Sequence, residues 1–111
     1  MKTTKSVSNE QEKRVAKLVD GRVVVGSGAT QFQKGDVVTK NCFYECKTSM
    51  SPKDSYKINK KDLQKADEQR FSMGKENYAF VFDFGDKQDL FVVLKMNTYL
   101  NLINNKENMN D

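Results

Sequence analysis

Gly35-Asp36-Val37-Val38-Thr39-Lys40-Asn41-Cys42-Phe43-Tyr44-Glu45-Cys46-Lys47 reads as two strands, about 36–40 and 42–47, joined by a tight turn at Lys40-Asn41. Strand side chains alternate between faces, so Glu45 and Lys47 point the same way. The hairpin folds Asp36 back toward that pair. Two carboxylates and an ammonium on one sheet face are costly to desolvate unless something uses them. A divalent cation and a phosphodiester would use all three.

Upstream, residues 1–7 are polar and basic and are expected to fray. Ser8 with Gln11 has the form of a capping box and predicts a helix over about 9–19. Val15, Leu18 and Val19 supply its apolar side. Glu12 precedes Val15 by three residues and Val19 by seven, which turns it inward. An inward carboxylate is either a salt-bridge partner or a site residue. Glu10 lies about 200° round the helix and belongs to solvent. Asp20-Gly21 ends the helix, and Arg22 to Val25 reads as a first strand. Gly26 to Gly35 is a glycine-rich connection without the Gly-Lys-Ser/Thr of a Walker loop. It is either a plain loop or a segment lying on a nucleic-acid backbone, with Ser27 and main-chain amides as donors.

Downstream, Thr48 to Lys57 is a polar, basic loop. Asn59 caps a second helix from Lys60, with Ile58 and Leu63 as a hydrophobic staple. Leu63, Ala66, Phe71 and Met73 form its apolar side, and Gly74 stops it. Lys61, Lys65 and Glu68 share another stripe, either solvated or supporting a site. Tyr78 to Phe84 is a nearly continuous apolar run suited to a central strand covered on both faces. A turn at Gly85–Gln88 leads to a last strand, Asp89 to Leu94. Tyr99, Leu100 and Ile103 predict a short final helix, and the Asn-rich end, 105–111 above all, is expected to be disordered. The class is α/β, with a mixed central sheet flanked by helices in the order α-β-β-β-α-β-β.

A chain of 111 residues is most simply one domain, 1–111. The net charge is +4, and Lys53, Lys57, Lys60, Lys61 and Lys65 crowd one stretch. Such clustering suits a polyanion such as nucleic acid, or else a solvated surface. Cys42 and Cys46 share one strand, roughly 13 Å apart, too far for a disulfide within it. There is no histidine, which excludes an ordinary zinc site. No signal peptide and no apolar run near 18 residues is visible. A soluble, cytoplasmic protein without a membrane partner is expected.

Magnesium prefers hard oxygen ligands and keeps several waters, so two or three carboxylates suffice. Asp36 and Glu45 are the candidate ligands, with the main-chain carbonyl of Cys46 beside them. Glu12 would bind a metal water or a second ion. Lys47 would position the attacking water or offset charge on the phosphate. Two nearby carboxylates hold its amine protonated, which favours positioning over general-base work.

Gly35-Asp36-Val37-Val38 with Glu45-Cys46-Lys47 resembles the PD-(D/E)xK nuclease signature. Glu12 in Glu-Lys-Arg-Val-Ala-Lys-Leu resembles the first-helix glutamate of archaeal Holliday-junction resolvases and their phage-encoded relatives. Gly26-Ser27-Gly28-Ala29 and the lysine-rich helix before an aromatic strand are similar to those nucleases too, so the resemblance spans about 8–95. It departs at Gly35, where the signature has proline, and in its shorter C-terminal part. The resemblance implies a restriction-endonuclease-like core, catalysis by Glu12, Asp36, Glu45 and Lys47, and magnesium or manganese as cofactor. It also implies a homodimer cutting both strands of a four-way or other branched DNA. Lys34, Lys53, Lys57, Lys60, Lys61 and Lys65 are the expected DNA contacts, with Ser27 and Arg14. No base-reading motif is present, so little sequence preference is expected. A nuclease for other DNA structures, or a non-catalytic nucleic-acid-binding module of the same fold, are the alternatives.

Overall fold

The computed structural model describes the backbone of residues 4–24, 36–86 and 88–110, and the side chains of these from 7 to 105. The elements in order are α1 (Thr4–Val19), β1 (Arg22–Val23), β2 (Val37–Val38), β3 (Cys42–Lys47), α2 (Lys60–Ser72), β4 (Asn77–Phe82), β5 (Phe91–Leu94) and α3 (Met96–Asn110). The strands form one sheet in chain order, β1-β2-β3-β4-β5. The β3–β4 pair is parallel and the other three pairs are antiparallel. A parallel pair needs a long crossover, and α2 supplies it. The chain is therefore a mixed α/β protein with a five-stranded mixed sheet and three helices.

Alternation along β3 and β4 sorts the core into two layers. Val37, Tyr44, Cys46 and Val81 point to one face, where Val15 and Ala16 of α1 cover them. Val38, Phe43 and Tyr78 point to the other, where Ala66 of α2 sits fully buried. Phe80, on the α2 side, is wholly buried, as a strand covered on both faces requires.

Several expectations need correction. Helix α1 begins at Thr4 rather than residue 9, so Ser8 lies inside it. Gln11 is consequently no capping partner, and its amide is used elsewhere. Helix α3 runs on to Asn110, through the end expected to be disordered. Leu18 is 69% exposed and Phe71 76% exposed, although both were assigned to apolar sides. Phase explains Phe71: it is five residues from Ala66, about 140° round the helix. Its ring instead lies under the Arg70 guanidinium, 5.9 Å from centroid. The strands β1 and β2 are two residues each, shorter than expected.

Other local signals are realised. Asn59 is the N-cap of α2, in an extended conformation, but its side chain makes no capping hydrogen bond to the backbone and its amide turns to Asp62 Oδ2 at 3.4 Å instead. Gly74 takes a positive φ of 71°, and the Lys75 amide reaches back to the Arg70 carbonyl at 2.9 Å. That pattern closes α2 as a Schellman turn. Gly85, with φ 81°, presses the β4–β5 turn against the Ser51 carbonyl, which a Cβ there would meet at 2.3 Å. The Lys53 amide fastens to the Phe84 carbonyl nearby, at 2.8 Å. The basic loop after β3 is thus tied down beside the end of β4.

Candidate active site

The hairpin register pairs Val38 with Phe43 and Val37 with Tyr44. One further step sets Asp36 opposite Glu45, on the α2 face. Asp36 still belongs to the sheet on its other side, since its carbonyl accepts the Val24 amide at 2.7 Å. The Thr39 amide donates to the Cys42 carbonyl at 3.0 Å, which fixes the alternation of the ladder. By that alternation the backbone N–H and C=O of Cys46 both turn toward β2. The Asp36 carboxyl accepts the Cys46 N–H there.

Lys47 lies two residues beyond Glu45, and its Nζ stands 3.3 Å from Glu45 Oε1. Glu12 comes from the α1 layer, on the opposite sheet face, and is 5% exposed. Asp36 is 6% exposed. Burial, then the Glu45 charge, lifts the Glu12 carboxyl from an ordinary 4.5 to about 7. Burial, the Glu45 charge and the Glu12 charge raise Asp36 well above the carboxylate range, against the Cys46 hydrogen bond and the Lys47 charge. The Cys46 thiol is likewise pushed up, by burial first and then by Asp36, Glu12 and Glu45. The Glu45 charge acts on both Glu12 and Asp36, and the Glu12 and Lys47 charges act on Asp36, so these four side chains form one electrostatic cluster near Cys46.

Lys47 settles its own role. Burial pulls its pKa down, but the Glu45 charge and hydrogen bond outweigh this and raise it. A protonated ammonium positions anions and does not abstract protons.

Three crowded acids with one lysine form a cluster short of positive charge. Its chemistry fits a hydrated magnesium, which takes one or two carboxylates and keeps its waters. It does not fit an all-protein cage: among the described residues no three His, Cys, Asp or Glu side chains converge closely enough to hold a metal ion by themselves. Asp36, Glu45 and the inward-turned Cys46 carbonyl are the oxygens that would hold it. Both cysteines are free thiols, as expected.

The lysines fall on the same side of the sheet as Glu45 and Lys47. Lys53 and Lys57 project from the tied-down loop, and Lys60, Lys61 and Lys65 from α2, all exposed. Arg14 is engaged by the Gln88 carbonyl in the β4–β5 connection. Ser27 and Lys34 lie outside the described residues. Among the described residues, no helix is long and apolar enough to cross a membrane.

Two groups escaped the sequence reading. Tyr56 stacks on Phe82 at 4.7 Å and 20°, and Phe82 is the register partner of Lys47. Its phenol therefore lies beside Lys47, whose charge it senses. Asp83 is buried at the end of β4 and accepts from Thr48 Oγ1 at 2.7 Å, the Gly85 amide at 2.8 Å and Gln11 Nε2 at 3.1 Å. Gln11 also donates to the Lys47 carbonyl. This bond set clamps α1, the ends of β3 and β4, and so the spacing of Glu12 from Lys47. The signal for Asp83 was present: a lone acid within the aromatic run Tyr78–Phe84.

Comparison with protein-family models, curated proteins and solved structures finds no match to this chain.

Proposed function

We propose that the chain is a metal-dependent DNA endonuclease of PD-(D/E)xK type with a restriction-endonuclease-like core, acting on branched DNA such as a four-way junction. The observation that carries the reading is the facing of Asp36 and Glu45 one step past the Val37–Tyr44 pair, with Lys47 on Glu45 and the charge of buried Glu12 acting on Asp36. Asp36 and Glu45 would hold magnesium or manganese, with the Cys46 carbonyl beside them and Glu12 on a metal-bound water or a second ion. When bound, the ion would offset the negative charge that grows on the phosphate during hydrolysis. Lys47 keeps its proton and binds a phosphate oxygen or orients the attacking water. The lysines of the 53–65 stretch grip neighbouring phosphates, which sets register without reading bases. A second copy would cut the other strand.

Labelled four-way junctions with magnesium test this, alongside linear and single-stranded DNA of the same sequence. Cleavage is expected with wild type and is expected to vanish in Asp36→Asn and Lys47→Ala. Cleavage that survives both substitutions overturns the site. Preference for linear over branched DNA would keep the chemistry and change the substrate.

One observation favours a second reading, a non-catalytic DNA-binding module: among the described residues the acids do not form a ready metal cage. That reading predicts DNA binding indifferent to magnesium and unaffected by Glu45→Gln.

A further inference from the structure

Four rings gather at the end of β4, on the sheet face that carries Glu45 and Lys47. Phe82 is the register partner of Lys47 on one side and of Phe91 on the other. Lys47, Phe82 and Phe91 therefore form one row across the sheet, with their side chains on one face. Tyr56 stacks on Phe82, ring centres 4.7 Å apart and planes 20° apart. Phe82 stacks in turn on Phe91 at 5.6 Å and 25°. Phe84 stands edge-on to both, at 87° to Phe82 and 70° to Phe91. Edge-to-face contact is a favoured approach of one ring to another, so Phe84 braces the stack.

The three stacked rings make a ladder that runs from the basic loop to the edge of the sheet. Strand β5 is last in the strand order, so the sheet does not continue the ladder past Phe91. Tyr56, Phe82 and Phe84 are half-buried, whereas Phe91 is 43% exposed. Single exposed apolar residues are ordinary on a protein surface. Phe91 is not single: it terminates a row of aligned rings that begins beside Lys47.

We infer that Phe91 is a platform for one unpaired base of the DNA strand whose phosphates pass Lys47. The substrate is thereby narrowed to branched DNA with unpaired nucleotides beside the scissile phosphate, such as a fork or a flap. The inference rests on the DNA reading above and not on its hydrolytic chemistry. Three observations select that occupant. First, the ring is aligned with others in a stack, and a further flat π-system continues such a stack. A base within a duplex has both faces covered by its neighbours, so only an unpaired one has a face to give. Second, the spacing fits. Neighbouring strands lie about 4.8 Å apart, which sets Phe91 about 10 Å from Lys47 along the row. That is roughly three nucleotides at about 3.4 Å each, and fewer where the strand is unstacked. Third, cations accompany the rings. Lys53 and Lys57 stand on either side of Tyr56 in the chain and are exposed. Rings interleaved with lysines are what a single strand requires, one for its bases and the other for its phosphates. Asp86 and Asp89, exposed in the β4–β5 connection, repel phosphates and so favour a backbone path on the lysine side.

Fluorescence anisotropy of the full chain without metal tests this, with a forked duplex and a fully paired duplex of equal phosphate number. Wild type is expected to bind the fork more tightly. Phe91→Leu keeps the apolar bulk and removes the ring. It is expected to weaken fork binding about 10-fold while leaving duplex binding, the salt slope and the circular dichroism spectrum unchanged. Phe91→Tyr keeps the ring and is expected to bind as wild type does. An abasic nucleotide placed in turn at the first unpaired positions probes the same contact in the unaltered protein. One such position is expected to reproduce the loss, and Phe91→Leu is expected to add nothing further there. Equal affinity of wild type for fork and duplex overturns the inference and leaves the ring to another occupant. A fork affinity that no abasic position lowers overturns it too, as does a folded Phe91→Leu that binds the fork like wild type. A fork held through Phe91 but never cleaved in magnesium would sink the nuclease reading alone. Cleavage of forks by Phe91→Leu at the wild-type rate and affinity would sink the platform alone.

Discussion

The Asp36 carboxyl accepts the N–H of Cys46, two residues beyond Tyr44 in the last backbone pair of the β2–β3 hairpin. That acid therefore does two jobs, a structural cap and a member of a crowded anionic cluster. Asn at the same position keeps an acceptor for the amide and removes one negative charge. Asp36→Asn is expected to raise the melting temperature of metal-free protein at about pH 8 by several degrees, at roughly 4–8 °C per kcal/mol. The same variant is expected to lose junction cleavage. Scanning calorimetry beside the cleavage assay checks the pair, and a lowered melting temperature would mean that the charge is structural.

The pH dependence follows from Glu12 and Asp36. Both carboxyls have folded-state pKa values above their ordinary ones, about 7 for Glu12. The folded chain thus holds protons that the unfolded chain has released. Their contribution is fully present below about pH 4 and is lost as pH rises through about 7 and beyond. Thermal stability without metal is expected to fall between about pH 5 and about pH 8.5, and magnesium is expected to reverse much of the loss. A flat profile in both conditions would contradict the clustering.

Tyr56 separates packing from chemistry. Its ring is held by Phe82 and, at 6.2 Å, by Phe80. Tyr56→Ala is expected to cost about 2 kcal/mol through lost stacking and burial. Tyr56→Phe keeps the ring, so its stability should stay within about 0.5 kcal/mol of wild type. Its cleavage rate is expected to drop because Lys47 loses a polar neighbour. Urea unfolding and single-turnover cleavage distinguish the two effects, and equal rates for Tyr56→Phe and wild type would remove the phenol from the site.

Asp83 is expected to be among the costliest single changes in the protein. Asp83→Ala takes the acceptor from the Thr48 hydroxyl and the Gly85 amide and leaves the Gln11 amide with the Lys47 carbonyl alone. Buried groups left without partners cost about 1–3 kcal/mol each, and partial rescue by water brings the expected total to about 3 kcal/mol. Denaturant midpoints measure it, and a loss under about 1 kcal/mol would show the clamp to be dispensable.

The basic stretch is tested by salt. Each lysine that touches a phosphate contributes about 0.9 to the slope of log K against log salt. Lys60→Ala with Lys61→Ala is expected to lower the slope by nearly two such increments and to weaken all DNA sequences alike. An unchanged slope would place both side chains off the DNA path.

Much of the placement of the acids and Lys47 was readable because its signals are local. The two-residue alternation of a strand put Glu45 and Lys47 on one face, and the helical period turned Glu12 inward while leaving Glu10 outside. The element order α-β-β-β-α-β-β was legible as far as β5, whereas the strand order and the parallel β3–β4 pair emerged only in the structure. Contacts among distant segments were not readable. Gln11, Thr48 and Asp83 come from three separate segments, and no spacing rule links them. Tyr56 sits in a loop, where no period says which way a ring points. Leu18 and Phe71 misled because hydrophobicity was taken for burial, whereas for Phe71 helix phase decides it. The helix ends were misjudged for the opposite reason: polar and asparagine-rich residues, weak helix formers, still continue a turn already begun, since extending a helix is far easier than starting one.

The contrast between Gly74 and Gly85 carries a consequence for how this chain can vary. Both take left-handed backbones, but a Cβ at Gly74 meets nothing within 4 Å, whereas at Gly85 it strikes the Ser51 backbone. Asparagine can replace the first glycine at small cost. At the second, every other amino acid displaces the segment that carries Lys53 and Tyr56. A saturation library would therefore find codon 85 closed and codon 74 open to asparagine, and a residue remote from the acids would govern where Lys53 and Tyr56 sit.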